Sequence, residues 1–245
     1  MSGNTIDLDV INPPPAVPHL QDLRQAIFAR VGMGRRGKSY EGIRSFKMGK
    51  LILVRHGRTV LNSHGESERL RGWLDVPLDE NGLQEARATA GRIAQHPIEK
   101  IFCSDLMRAQ QTAEAIADVT KLPIIHAPEL RPWNVGSLAG QQVSTILPAL
   151  KKLEEDPDLP APQGESFHQF YHRYSAKLKH LLALATRSSK CIVAVTHVRN
   201  VLATRTILVD GDKRKIPVRG GAKTGAIVWV EHSGGKWVTR AESDH

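Results

Sequence analysis

The sequence predicts an α/β fold, in which helices cover both faces of a mostly parallel central sheet. Short apolar runs of strand length alternate along the chain with longer segments whose apolar residues recur at helical spacing. A strand that is followed by a helix and then by another strand normally lies parallel to that second strand in one sheet. We therefore expect three layers, with the sheet between two layers of helices.

The first predicted strand is the apolar run at residues 51–54, which Arg55 and His56 follow. This run is too short for an ordinary helix, and unbroken apolar character is typical of a strand buried on both faces. Packing alone gives no reason for an arginine and a histidine at the end of such a strand. Residues 69–78 have no sustained period and several turn residues, so we expect a loop there.

A helix, a strand and a second helix are expected next. Asp79 is a favourable N-cap for the first of these helices. Residues 100–103 are apolar enough for the second strand, and either Ser104 or Asp105 is expected to cap the helix after it. Arg108 then lies in the first turn of that helix.

The middle of the chain contains a third strand, a long loop and two helices. Residues 122–126 form the predicted strand, and residues 129–140 are a loop rich in proline and glycine. A helix is expected around residues 141–153. Ser166 and Gln169 have the spacing of a capping box, which marks the start of the longest helix.

The last predicted elements are a buried strand, a helix and a hairpin. Residues 191–195 are apolar, and the strand ends at a Thr-His pair that includes His197. Residues 198–208 can be helical. Residues 226–230 and 236–239 flank a Ser-Gly-Gly turn and are expected to form a terminal β-hairpin.

The composition is that of a globular protein with a positive charge. The chain of 245 residues has 34 Lys and Arg against 25 Asp and Glu, a formal net charge of +9. A positive field suits an anionic ligand, either nucleic acid or a phosphorylated small molecule. Cys103 and Cys191 both lie in predicted strands, which favours two buried free thiols and a reducing, cytoplasmic location. No secretory signal is recognised, and no apolar run reaches the roughly 18 residues of a membrane span.

Two regions are predicted, a flexible basic N-terminal extension at residues 1–47 and a catalytic domain at residues 48–245. The extension is rich in proline, glycine and basic residues, which indicates an extended chain or, around residues 20–31, one short amphipathic helix. It could be a solvated tail or an arm that touches nucleic acid. Translation could also begin naturally at Met48, directly before the first strand.

Polar side chains follow three of the predicted strands. Arg55 and His56 follow the first strand, Ser104 and Arg108 the second, and His197 the buried strand near the C-terminus. Because parallel strands place their carboxyl ends on one rim of the sheet, these side chains are expected to converge.

Such a group of side chains is suited to phosphoryl transfer. Arg55 and Arg108 can hold phosphate oxygens with their planar guanidinium groups, and the same contacts stabilise charge in the transition state. Their charge also disfavours the imidazolium form of His56, which leaves a nitrogen lone pair free to attack phosphorus. His197 is then expected to donate a hydrogen bond to the transferring group.

Five segments together resemble the histidine phosphatase superfamily, which includes the cofactor-dependent phosphoglycerate mutases. In order along the chain they are residues 53–59, 71–82, 104–113, 164–166 and 195–197. Their order and spacing extend the resemblance from residue 50 to about residue 232. The resemblance implies a phosphoglycerate mutase-like fold. Metal chemistry is not expected, because no Asp/His ligand cluster accompanies His56 and His197 in the sequence. No cofactor is expected either.

The same resemblance implies roles for individual residues. His56 is the nucleophile that forms a phosphohistidine, and Arg55, Arg108 and His197 complete the phosphate pocket. Matches near the phosphate or the substrate are weaker, and they are Arg58, Asn62 and Glu165. Two of these have simpler alternatives, since Asn62 could only cap a turn and Glu165 could only favour the start of the long helix.

The chain departs from the family where a glutamate usually serves as general acid. Pro132 occupies that position and cannot exchange a proton. Glu129 and Glu165 are the nearest candidate proton donors. Alternatively, the substrate has a good leaving group, as in the family's phosphohistidine phosphatases, which also lack the acid. The segment at residues 198–200, Val-Arg-Asn, is a second departure, because a glycine is common where this segment follows His197.

The function expected from the sequence is that of a metal-independent phosphatase acting on a phosphorylated substrate. Phosphoglycerate mutase-type phosphoryl transfer is the second hypothesis, and a weakly active or noncatalytic phosphate-binding module is the third. No membrane partner is expected. Nucleic acid is expected only through residues 1–47, where salt-dependent binding would be the evidence.

Overall fold

The structure, a computed structural model, describes residues 49–62, 68–209, 222–233 and 235–241. The predictions for the extension at residues 1–47 and for a start at Met48 lie outside the described residues. What is described is a six-stranded mixed sheet with helices on both faces.

The sheet consists of four parallel strands and a hairpin. The strands are β1 (Leu51–Arg55), β2 (Ile98–Cys103), β3 (Ile124–His126), β4 (Cys191–Thr196), β5 (Ile227–Ser233) and β6 (Lys236–Ala241). Their spatial order is β3-β2-β4-β1-β5-β6. β1 to β4 run parallel, whereas β5 is antiparallel to β1 and β6 is antiparallel to β5. The predicted parallel sheet and terminal hairpin are thus confirmed, and the hairpin extends the sheet beside β1.

Within the described residues, five α-helices form the two outer layers. They are α1 (Glu80–Ile93), α2 (Met107–Thr120), α3 (Val143–Glu155), α4 (Phe167–Arg187) and α5 (Val198–Val209). Side chains of a strand alternate between the two faces of a sheet. Leu51 and Leu53 accordingly join the core that contains side chains of α3, α4 and α5, and Ile52 and Val54 join the core with α1 and α2. The three-layer prediction is confirmed.

Two of the predicted helix caps are present. The Asp79 side chain accepts a hydrogen bond from the Gly82 N–H at the start of α1. At the start of α4, Ser166 and Gln169 make both hydrogen bonds of the capping box. These bonds satisfy N–H groups that the first turn of a helix leaves without partners.

The predicted cap of α2 is wrong. Leu106 is its N-cap residue and makes no capping hydrogen bond through its side chain. The Ser104 hydroxyl instead lies 2.9 Å from Nε2 of His197. The Asp105 carboxylate binds both Nε and Nη2 of Arg131, at 2.7 and 2.6 Å. Both candidate capping side chains therefore bind side chains distant in sequence and do not cap the first turn of α2.

The two cysteines are buried and free, as predicted. Burial raises the pKa of the Cys103 thiol, so this thiol stays protonated. Within the described residues, no helix combines the length and the apolar character needed to cross a bilayer.

A close backbone contact holds the segment after β1 against the start of α1. A Cβ atom on Gly57 would lie 2.4 Å from the Gly82 carbonyl oxygen, and one on Gly82 would lie 2.0 Å from that of Arg58. His56 also donates its N–H to the Thr196 carbonyl at 3.0 Å. The backbone around His56 is therefore fixed from two sides, by the neighbouring strand and by α1.

We predict that Gly82→Ala lowers the free energy of unfolding by about 1–3 kcal/mol, because the added methyl group forces the two backbones apart. Gly91→Ala is the matched control in the same helix, since a Cβ there meets nothing within 4 Å. The control should raise the free energy of unfolding, by up to about 1 kcal/mol. Urea unfolding of both variants checks this, and equal effects would contradict the close contact.

Candidate active site

Two imidazoles meet at the carboxyl ends of neighbouring strands. His56 follows β1 and His197 follows β4, and these two strands pair with Arg55 opposite Thr196. The ring centroids lie 5.0 Å apart with 60° between the ring planes. Each side chain is only 2% exposed. The structure thus brings together the two histidines that the sequence places 141 residues apart.

The hydrogen bond of His56 assigns its tautomer. Nδ1 lies 2.7 Å from the Gly57 carbonyl oxygen. Because a carbonyl oxygen only accepts, Nδ1 carries the hydrogen. In the neutral ring, Nε2 is therefore unprotonated and keeps its lone pair.

The neutral form of His56 is strongly favoured. Burial is the largest cause that lowers its pKa well below the ordinary value, and the charges of Arg108 and Arg55 lower it further. The hydrogen bond to Gly57 acts in the opposite direction and is weaker. At neutral pH this imidazole is uncharged and can act as a nucleophile.

One ring nitrogen of His197 has no partner among the described residues. Its Nε2 lies 2.9 Å from the Ser104 hydroxyl, whereas its Nδ1 is buried and finds no partner among the described residues. Burial, Arg108 and His56 lower the pKa of His197 well below its ordinary value. If the Ser104 hydroxyl donates to Nε2, Nδ1 carries the hydrogen. Such a buried, unsatisfied group is suited to a ligand oxygen.

Two arginines are held beside the histidines by backbone carbonyl groups. Arg108 is 1% exposed and donates to the carbonyls of Leu74 and Gly72, at 2.6 and 2.9 Å. Arg55 donates from Nη1 to the Ala222 carbonyl at 2.5 Å. In both, the buried Nε has no partner in the described part of the chain. These carbonyl groups orient the guanidinium groups without neutralising them.

The positive charges of these arginines are unfavourable to one another. Burial is the main cause that lowers the pKa of Arg108 to about 9 and that of Arg55 to about 10, and the charge of Arg71 adds to both effects. The two guanidinium groups still carry a charge at neutral pH. An anion in this site would relieve the cost of their burial.

Arg71 is a member of the site that the sequence analysis did not single out. It lines the pocket, donates from Nη1 to the Leu61 carbonyl at 2.8 Å, and its charge contributes to the lowered pKa of both His56 and His197. The residue lies in the predicted loop at 69–78, where nothing local distinguishes it from a solvent-exposed arginine. Its place at the start of the family-like segment 71–82 was the available signal.

The pocket around these groups is small and free of described carboxylates. Its volume is about 80 Å³, against roughly 300–1,000 Å³ for pockets that bury drug-sized ligands. The lining residues are His56, Leu70, Arg71, Gly72, Arg108, Pro132, Trp133, Val135, His197, Val198 and Arg199. A phosphoryl group fits both this size and this charge.

Arg58 and Asn62 are not among the described lining residues. The Arg58 side chain forms an ion pair with Asp79, with Nε 3.1 Å from Oδ2. Oδ1 of Asn62 accepts hydrogen bonds from the N–H and the hydroxyl of Thr59, at 3.0 and 2.9 Å. Asn62 therefore caps a turn, which is the simpler of its two predicted roles.

Glu165 and Glu129 also lie outside the pocket lining. The Glu165 carboxylate accepts from Nη2 of Arg173 at 2.6 Å and from the Asn134 N–H at 2.9 Å, so it ties the loop at 129–140 to α4. The exposed Glu129 has its carboxylate 3.6 Å from Nζ of Lys177. The structure brings neither candidate proton donor to the imidazoles.

Pro132 lines the pocket, and its loop is firmly held. The Pro132 carbonyl accepts from Nε1 of Trp73 at 2.8 Å and from Nη2 of Arg173 at 3.1 Å. The Leu130 carbonyl accepts from the Thr196 hydroxyl at 2.9 Å and from Nδ2 of Asn200 at 3.2 Å. Neighbouring elements thus fix the position at which related proteins are expected to carry an acid.

Across the ranges that the structure describes, no group of three or more His, Cys, Asp or Glu side chains is arranged to hold a metal ion.

Comparison with known proteins places this site in a family. A family model described as the histidine phosphatase superfamily (branch 1) matches residues 51–245. The chain is 33% identical over 150 residues to a probable phosphoglycerate mutase of Yersinia pestis (strain Pestoides F), which covers 59% of this chain and 68% of that protein.

Two solved structures support the same assignment. A phosphoglycerate mutase from Thermus thermophilus aligns with a TM-score of 0.60 and 31% identity, covering 80% of this chain and 99% of that one. A mycobacterial glucosyl-3-phosphoglycerate phosphatase, solved with VO3, aligns with a TM-score of 0.66 and 26% identity, covering 80% and 98%. Both resemble this protein over nearly their whole length.

The lowered pKa of the two histidines predicts a loss of stability in acid. The unfolded chain binds a proton at each imidazole below about pH 6.5, whereas the folded protein does not. The contribution of the two histidines to the free energy of unfolding is therefore fully present above about pH 6.5, and it decreases as the pH falls below that value. Each histidine contributes a slope of up to roughly 1.4 kcal/mol per pH unit.

We expect His56→Gln and His197→Gln each to reduce the proton uptake on unfolding by about one, and the double variant to reduce it by about two. The free energy of unfolding, measured by denaturant titration between pH 5 and pH 8, checks this. An unchanged slope in both single variants would show that the imidazoles are protonated in the folded protein.

Proposed function

The chain belongs to branch 1 of the histidine phosphatase superfamily, and we propose that it is a phosphatase acting on phosphomonoesters or activated phosphates through a phosphohistidine at His56. One observation carries the proposal. Two neutral imidazoles, 5.0 Å apart, line a small pocket together with Arg108, whose buried Nε has no partner in the described residues, while Arg55 acts on His56 from outside the described lining. Such a pocket can bind a phosphoryl group and also supply a nucleophile.

In the first step, Nε2 of His56 attacks phosphorus. A nitrogen–phosphorus bond forms, and the bond from phosphorus to the leaving group breaks. Arg55, Arg71 and Arg108 neutralise the charge on the phosphoryl oxygens, and Nδ1 of His197 donates a hydrogen bond to one of them. The developing positive charge on the His56 ring is stabilised by the Gly57 carbonyl, which accepts from Nδ1 at 2.7 Å.

In the second step, water attacks the phosphohistidine. An oxygen–phosphorus bond forms, the nitrogen–phosphorus bond breaks, and the electron pair returns to Nε2 of His56. The proton of the water passes to the released phosphate or to solvent. The lowered pKa of His56 helps here as well, because the ring leaves phosphorus as a neutral base that does not need a proton.

The lining residues determine which leaving groups can depart. No described carboxylate lines the pocket, and Pro132 has no proton to give. The described lining therefore gives the leaving group no general acid catalysis, which is typically worth about 10² to 10⁴ in rate. This supports a substrate with a weakly basic leaving group, such as an acyl, aryl or nitrogen-linked phosphate.

Phosphoglycerate mutase activity is the second candidate, because two of the relatives are named as mutases. A mutase must transfer the phosphoryl group between hydroxyl groups, and each transfer needs a proton donor or acceptor beside the hydroxyl. The described lining of this pocket contains no carboxylate for that task. Hydrolysis is therefore the better-supported reaction.

The proposed setting is the cytoplasm, which the two buried free thiols support. The proposed partner is a phosphorylated substrate. Nucleic acid binding through residues 1–47 stays a prediction, since that segment lies outside the described residues.

We predict that the protein hydrolyses 4-nitrophenyl phosphate and acetyl phosphate at least about 10²-fold faster, by kcat/KM, than glucose 6-phosphate. The reason is that alkoxide leaving groups need a proton, and the described lining residues include no carboxylic acid to supply it. Phosphate release under identical conditions checks this. Comparable rates on all three substrates would mean that a proton donor reaches the site.

We expect His56→Ala to abolish hydrolysis of 4-nitrophenyl phosphate, while the exposed His180→Ala, the matched control, keeps it. Rapid quenching of the unaltered protein should trap a phosphoryl adduct on His56 that is labile in acid and stable in alkali. Binding of inorganic phosphate without any turnover would instead support a noncatalytic module.

Because guanidinium groups supply the positive charge in this mechanism, chelators should leave the rate unchanged. Activity that is lost with EDTA and restored by a divalent metal ion would contradict the proposal.

A further inference from the structure

Ser104 is a buried residue beside the two imidazoles, and the proposed mechanism does not use it. It directly follows β2, and its hydroxyl oxygen lies 2.9 Å from Nε2 of His197. The exposed fraction of Ser104 is 0% and that of His197 is 2%, so this contact is shielded from water. The side chain is also absent from the described pocket lining. Any effect of Ser104 on a substrate therefore has to pass through His197.

The pairing of β2 with β4 fixes the position of Ser104. Cys103, the last residue of β2, pairs with Val195 of β4. The Ser104 N–H donates to the Val195 carbonyl at 3.0 Å, and its own carbonyl accepts from Sγ of Cys103 at 2.8 Å. His197 comes two residues after Val195. The parallel register of the two strands therefore sets the serine beside the imidazole.

The direction of the hydrogen bond between Ser104 and His197 decides what the second ring nitrogen can do. A hydroxyl can donate or accept, whereas a neutral imidazole has one donor nitrogen and one acceptor nitrogen. If the hydroxyl donates to Nε2, the hydrogen of the ring lies on Nδ1. If Nε2 donates to the hydroxyl, Nδ1 keeps a lone pair. This one bond therefore makes Nδ1 of His197 either a donor or an acceptor.

Burial favours the arrangement in which Ser104 donates. Across the described residues, the Ser104 hydroxyl has no hydrogen-bond partner besides Nε2 of His197, and Nδ1 of His197 has none. If Nε2 donated, the hydroxyl hydrogen would be buried without an acceptor, and Nδ1 would still be unpaired. Each buried polar group without a partner is costly. A serine that donates leaves only Nδ1 to be satisfied by a ligand.

The direction matters because the His197 ring is neutral. Burial is the largest cause that lowers its pKa well below the ordinary value, and the charge of Arg108 lowers it further. An imidazolium would carry a hydrogen on both nitrogens, but the neutral ring carries only one. A lone pair on Nδ1 would repel phosphoryl oxygens, whereas an N–H there would bind them.

We propose that Ser104 is a positioning residue, whose hydroxyl donates to Nε2 of His197 and so keeps Nδ1 a hydrogen-bond donor toward the transferring phosphoryl group. This inference rests on the proposed function and deepens it. Negative charge develops on the phosphoryl oxygens during the reaction, so the Nδ1 hydrogen bond strengthens in the transition state. Loss of the hydroxyl should therefore affect kcat more than KM.

Ser104→Ala tests the role of the hydroxyl in catalysis. We expect kcat/KM for 4-nitrophenyl phosphate to fall about 10- to 100-fold, with the larger part of the loss in kcat. Ser175→Ala is the matched control, because it removes the same group from a buried position in α4 where the hydroxyl has no partner among the described residues. The control should keep the activity, and urea unfolding of both variants shows that they fold.

The tautomer of His197 gives a readout that a purely structural role of Ser104 would not change. In nitrogen-15 NMR of the unaltered protein without ligand, we expect the hydrogen on Nδ1 and the acceptor on Nε2. Ser104→Ala should increase the fraction of rings with the hydrogen on Nε2. Ser104→Thr keeps the hydroxyl and should restore both the tautomer and most of kcat. If the added methyl group prevents folding, Ser104→Cys takes its place and should restore part of both, since a thiol is a weak donor.

The proposal is overturned if His197 of the unaltered protein carries its hydrogen on Nε2. It is also overturned if Ser104→Ala changes activity without changing the tautomer, or loses no more activity than Ser175→Ala. Failure of the proposed function is distinguishable, because then no hydrolysis depends on His56. The tautomer still tests the positioning role in that case, together with calorimetric binding of inorganic phosphate, which should be about fivefold weaker in Ser104→Ala.

Discussion

Buried positive charge around two neutral imidazoles is the constraint on which the site depends. Burial is the largest cause that lowers the pKa of His56, and the charges of Arg108, Arg55 and Arg71 lower it further. Burial is also the main cause that lowers the pKa values of Arg55 and Arg108, and the charge of Arg71 adds to both effects. In the proposed reaction, an anionic phosphoryl group compensates the charge of the buried guanidinium groups. The same phosphoryl group lies beside the uncharged imidazole of His56, which can attack it.

The rest of the fold holds these groups in an arrangement that they would not adopt unaided. Backbone carbonyls of Gly72, Leu74 and Ala222 orient Arg108 and Arg55 through hydrogen bonds, and carboxylates outside the described pocket lining, among them Asp75 and Glu85, offset part of their charge. The contact between Gly57 and Gly82 fixes the turn that presents His56. Loops, strand ends and the start of a helix therefore hold the buried arginines in place, although burying their positive charge is unfavourable by itself.

Much of the fold and part of the site could be predicted from the sequence, because those features depend on local patterns and on one rule of topology. Strand length, helical spacing and the caps at Asp79 and Ser166 are local signals. The meeting of His56 with His197 follows from the rule that parallel strands place their carboxyl ends on one rim. Neither prediction requires knowledge of particular side-chain contacts.

The remaining features depend on partners that are distant in sequence. Ser104 does not cap α2, because its hydroxyl meets His197. Glu165 looks like a substrate ligand in sequence, but its carboxylate binds Arg173 and the Asn134 N–H. Arg71 becomes part of the site only because its loop folds back beside Arg108, whose Nη2 donates to the carbonyl of the neighbouring Gly72. No periodic or local sequence pattern predicts such tertiary contacts.

The most direct test of this account is the protonation state of the two imidazoles, observed by nitrogen-15 NMR of histidine-labelled protein without ligand. We predict that His56 and His197 stay neutral as the pH is lowered through about 6.5, with the hydrogen of His56 on Nδ1 and a lone pair on Nε2. A His56 ring that becomes protonated near pH 6.5, or one that carries its hydrogen on Nε2, would contradict the central claim.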